Sequence, residues 1–102
     1  MLMKIVNEFG EENCHFKPLD SVEIKKIIQR ANKRNLMCLG FIHPKADVYF
    51  NHIQLKLMKK EIEVLRLEED LSQKTLDEID FALNFVKEEP SFLYLKFIPK
   101  VD

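Results

Sequence analysis

Ile24, Ile27, Ile28 and Ala31 fall at i, i+3, i+4 and i+7, the spacing that aligns apolar side chains on one helix face. Lysines and arginines fill much of the rest of DSVEIKKIIQRANKRN, with Lys33 and Arg34 at its end, where the helix dipole favours positive charge. Asp20 and Glu23 stand at capping-box spacing, with Ser21 as the alternative cap. The segment predicts a first helix. A second begins at Asn51, where Gln54 repeats the capping arrangement, and buries Leu55, Met58, Ile62 and Leu65. A third begins at Thr75 with Glu78 as its capping partner. It runs through Ile79, Leu83 and Val86, with Phe81 and Phe85 widening the apolar face, and Pro90 ends it.

The remaining apolar segments predict strands. MLMKIV (1–6) is the first, followed by a loop, NEFGEENCHFKPL, that holds Gly10 and Pro18. LMCLGFI (36–42) is an uninterrupted apolar run, the pattern of a strand covered on both faces. Pro44 and Asp47 supply turn chemistry after it, and VYF (48–50) reads as the returning strand of a hairpin. SFLYLKFIP (91–99) alternates, with Leu93, Leu95 and Phe97 on one face and Phe92, Tyr94, Lys96 and Ile98 on the other. The order β-α-β-β-α-α-β predicts an α+β fold, a four-stranded and mostly antiparallel sheet with three helices packed against it.

Composition narrows this to one domain spanning residues 1–102. Apolar residues make up 46% and charged residues 32%, with nearly balanced sign, which is globular rather than disordered usage. No apolar run approaches the ~20 residues of a membrane span, and MLMKIVNEFG lacks the cleavage pattern of a signal peptide. These features predict a cytoplasmic protein without a membrane partner. Cys14 and Cys38 form no CxxC pair, so zinc-ribbon and thioredoxin-type chemistry are not expected. Cys38 reads as a small buried hydrophobe. Cys14 beside His15 offers a thiol and a base, but sequence neighbours rarely meet in reacting geometry.

FIHPKADVYFNHIQ (41–54) is the densest collection of reactive side chains. His43, Asp47 and His52 are candidate metal ligands or catalytic groups, with His15 as a fourth. Their spacing matches no HExxH or finger pattern, and turn and cap roles already account for most of the stretch. Serines and the one threonine lie at helix starts, a connection and a strand start, none in a nucleophile elbow. Two glycines in the whole chain argue against a phosphate-cradling loop, which needs several residues without Cβ. No cofactor and no catalytic residue is expected.

Charge is unevenly divided. Lys17 to Lys60 holds ten Lys/Arg against three Asp/Glu, and Glu61 to Pro90 holds three against ten. An acidic surface on residues 61–90 would steer and orient a basic protein partner, with Glu68, Glu69, Asp70, Asp77, Glu78 and Asp80 as the candidate contact residues. The alternative is that opposite charges pair within the chain. A sequence pI of 6.3 and the lack of a recognised motif argue against nucleic acid. A homodimer joining a sheet edge, or the acidic and basic halves, is a further arrangement to test.

FIHPKADVYFNHIQLKLMKKEIEVL and the terminal FLYLKFI resemble a pattern in small bacterial α/β proteins. Pro44, Asp47, Phe50, Asn51, Gln54, Tyr94 and Leu95 carry it. The resemblance implies a fold and a bacterial source, and no activity. At the level of fold the chain is also similar to immunity proteins that neutralise bacterial toxins. The expected function is thus a non-catalytic protein-binding module, in the form of an immunity protein that masks a basic site on a toxin. The competing expectation is a metal-binding protein or small enzyme using His43, Asp47 and His52.

Overall fold

A computed structural model describes residues 1–88 and 94–99, excluding the side chains of residues 13–15 and Glu88. Its elements are β1 (Leu2–Val6), β2 (Glu12–His15), α1 (Ser21–Lys33), α2 (Met37–Gly40), β3 (Val48–Asn51), α3 (His52–Leu65), α4 (Gln73–Glu88) and β4 (Tyr94–Ile98). The α+β class stands. The observed order, β-β-α-α-β-α-α-β, differs from the expected β-α-β-β-α-α-β.

Three antiparallel strands, β1, β4 and β3, form the centre of the sheet, and the short β2 pairs with the free edge of β1, giving the order β2-β1-β4-β3. Alternation along the strands decides the two faces. Met3, Ile5, Phe50, Leu95 and Phe97 are buried with the helices, and the Phe50 and Phe97 rings meet edge-to-face at 5.7 Å, a favoured aromatic geometry. The opposite face is polar. There Glu12 accepts from Lys4 at 2.8 Å and Lys96 at 3.0 Å. That pairing holds the Glu12 carboxyl down at about 2, first through Lys4 and then Lys96.

The strand expected at 36–42 is absent. Asn35 adopts a left-handed φ of 59°, while Leu36 N–H donates to the Ala31 carbonyl and Asn35 N–H to that of Asn32. This is a Schellman ending, and it turns the chain back onto α1. Met37–Gly40 then coils into α2. The side chain of Glu61, a buried residue on α3, accepts from the N–H groups of Cys38 at 3.0 Å and Leu39 at 2.8 Å. A carboxylate from a distant helix thus satisfies donors that a four-residue helix leaves unpaired. Gly40 lets α2 lie close to α1, because a Cβ there would stand 2.6 Å from Asn32 Oδ1. Burial follows helical spacing: Cys38, Leu39 and Ile42 are buried, whereas Met37 and Phe41 are exposed.

β2 was expected to be part of a loop. Asn7 Oδ1 accepts from Phe9 N–H and Glu11 N–H, and Gly10 supplies a φ of 80°, so Asn7–Glu11 is a hairpin turn. The helices start close to expectation. Asp20, not Ser21, caps α1 by accepting from Val22 and Glu23 N–H. Asn51 and Gln54 form the full reciprocal box on α3. For α4 the cap shifts to Ser72, whose hydroxyl accepts from Thr75 N–H, while Thr75 is buried in the first turn. Ile79, Leu83 and Val86 are buried as expected, but Phe81 is 64% exposed and meets Phe16 at the surface. The expected stop at Pro90 and strand residues 91–93 lie outside the described residues.

Candidate functional site

The histidine stretch disperses. His43 Nδ1 accepts from Lys45 N–H at 2.9 Å, closing the turn that Pro44 begins. Asp47 lies on the outer sheet face, 3.6 Å from Lys96 Nζ. His52 opens α3 and lines a cavity between α3 and α4. Among the described residues no three His, Cys, Asp or Glu side chains gather to hold a metal ion; the His15 side chain is outside that description. Cys38 is buried, and its thiol is pushed up to about 11, first by burial and then by the Glu61 carboxylate. A thiol so shifted is not poised as a nucleophile near neutral pH.

The acidic residues of 68–80 largely face the chain's own cations. Glu68 pairs with Arg30 at 2.7 Å and with Arg34. Arg30 also bonds both oxygens of Asp70, a bidentate fork that holds the Asp70 carboxyl below its ordinary value. Asp77 pairs with Arg66 at 2.6 Å, and Asp80 with Lys59 at 3.0 Å and Arg66 at 3.6 Å. Glu69 and Glu78 have no ion pair among the described residues. Asp77 and Glu78 line a cavity of about 560 Å³ together with Phe16, Phe81, Lys17 and Lys74. The six residues thus occupy two settings, the α1-facing end of the α3–α4 connection and the first turns of α4.

Another surface emerges on α2 and α3. Ile53, Leu57 and Val64 are 66%, 47% and 38% exposed and fall at i, i+4 and i+11, one stripe of α3. The Glu61 contacts bring α2 alongside α3, and α2 adds Met37 while Phe41 follows at its C-cap, both more than two-thirds exposed. Isolated exposed apolar residues are ordinary, but five on adjacent elements make this flank a candidate interaction surface. Around α3 from this stripe lies the cavity toward α4, about 410 Å³, with Leu55, Leu83 and Val86 at its base and lysines at its rim.

Sequence reasoning missed this flank because it assigned Met37 and Phe41 to a buried strand. The signal on α3 was present: IQLKLMKKEIEV carries a second apolar stripe beside the one that forms the core. Among the described residues no helix is long and apolar enough to cross a membrane. Comparison with protein families, curated proteins and solved structures finds no match for the chain.

Proposed function

We propose that the chain is a non-catalytic protein-binding module that recognises its partner through the flank formed by α2 and α3. The observation that carries this reading is the cluster of exposed apolar side chains Met37, Phe41, Ile53, Leu57 and Val64. Burying such side chains on association removes apolar surface from water, at roughly 25 cal/mol per Å². A standard interface covers about 800 Å² per partner, a modest share of the 6439 Å² accessible surface. Internal pairing of Glu68, Asp70, Asp77 and Asp80 favours this flank over the acidic segment as the main contact. Neutralising a bacterial toxin by occlusion is one form such a module takes.

The test compares partner capture by the wild-type chain, by a Phe41→Glu/Leu57→Glu variant and by a Glu69→Lys/Glu78→Lys variant, each shown to fold by its thermal melt. The expected outcome is loss of the captured protein with the first variant and retention with the second. The reverse pattern would return recognition to the acidic segment. Light scattering on the wild-type chain identifies self-association: a dimer that Leu57→Glu makes monomeric would make the partner a second copy.

A further inference from the structure

Resting on that reading, we infer that the partner presents an acidic amphipathic segment, which the groove between α3 and α4 receives. The groove encloses about 410 Å³ over Leu55, Leu83 and Val86, enough for an apolar side chain to enter. Four lysines line it, Lys56, Lys59, Lys60 and Lys87, with His52 at one end. Lys59 is engaged, donating to Asp80 and to Asn84 at 3.0 Å. Among the described residues, Lys56, Lys60 and Lys87 have no ion pair.

Lys56 and Lys60 are also one helical turn apart, where like charges destabilise a helix. Carboxylates placed over the rim would relieve that repulsion and meet cations that no internal acid has neutralised. Charge complementarity of this kind steers encounter and fixes register. An amphipathic segment, seating an apolar side chain between two helices and its acids on the flanking lysines, is a recurring recognition mode. Lys60 sits between the groove and the Ile53–Leu57–Val64 stripe on α3, so one partner can cover both. The polarity is opposite to that expected from the acidic half of the sequence: among the described residues Glu68, Asp70, Asp77 and Asp80 are internally matched, whereas Lys56 and Lys60 of α3 are not.

The experiment uses the full chain labelled with nitrogen-15 and three synthetic peptides. One carries Leu at helical spacing among Glu, the second has Lys in place of each Glu, and the third has Ala in place of each Leu. The Leu/Glu peptide is expected to shift amides of α3 and α4 around the groove, with affinity that falls as salt rises. Lys56→Gln/Lys60→Gln is expected to weaken it about tenfold, and Lys25→Gln/Lys45→Gln to leave it unchanged. Equal binding of the Lys peptide, equal loss with the control lysines, or no shift at the groove overturns the inference. Binding of the Ala peptide as tightly as the Leu peptide also overturns it, since the groove would then add nothing. Decanoate shifting the groove while no peptide does would assign it to a small amphiphilic anion instead. Should Phe41→Glu/Leu57→Glu abolish partner capture while Lys56→Gln/Lys60→Gln leaves it intact, the binding module stands and the acidic partner falls.

Discussion

Glu61 shows how one side chain can decide local structure. Its residue is 4% exposed and its carboxylate accepts from two backbone N–H groups at the start of α2. Glu61→Ala leaves both donors buried without a partner, and the expected loss is about 3 kcal/mol. Glu61→Gln keeps an acceptor oxygen and should lose about half as much, measured by denaturant unfolding of the two variants side by side. A full loss for the glutamine variant would mean that charge, not the acceptor, holds α2. Cys38 belongs to the same junction, its Sγ lying 3.5 Å from the Gln54 carbonyl oxygen. With its thiol pushed up to about 11, it should react with iodoacetamide at pH 8 at least about a hundredfold more slowly than a free cysteine. A Cys14→Ser background isolates the rate, and full reactivity in the native chain would contradict the burial.

At the scale of elements, the box at the start of α3 is the clearest test of a local signal. Asn51 Oδ1 accepts from Gln54 N–H and Gln54 Oε1 from Asn51 N–H, both at 2.9 Å. Asn51→Ala should cost about 1 kcal/mol in thermal or chemical unfolding. The helices were legible because caps and apolar spacing are local: Asp20, Asn51 and the buried faces of α1 and α3 all stand where the pattern put them. What was not legible depends on distant partners. LMCLGF reads as a strand until Glu61 supplies acceptors for a helical turn and Asn32 makes room only for a glycine at position 40. ENCH has neither alternation nor strong strand propensity, and it pairs because β1 offers an edge that the Asn7–Glu11 turn reaches. The candidate surface was missed for the same reason, since exposure of Met37 and Phe41 follows from α2 being a helix.

Across the whole molecule, opposite charges far apart in sequence are folded against each other. Arg30 of α1 and Arg34 at its C-cap meet Glu68 and Asp70 beyond α3, and Lys96 of β4 meets Glu12 of β2, 84 residues away. This pairing has a consequence for acid stability. The Glu12 carboxyl lies at about 2 in the folded chain against an ordinary value of 4.5, and that of Asp70 is lowered by Arg30. A carboxyl depressed by folding contributes stability that is fully present above its unfolded value and is lost as pH falls toward its folded one. For Glu12 the window runs from about 4.5 down to about 2. Melting temperature should therefore decline through that window. In Glu12→Gln, which keeps the shape and removes the titration, the decline should be shallower and the stability at pH 7 lower, because β2 loses its link to Lys4 and Lys96. Melts of the two chains at pH 7, 4 and 3 check both effects. Parallel curves would show that the lysines gain nothing from Glu12 beyond what water provides, and β2 would then be held by its backbone ladder to β1 alone.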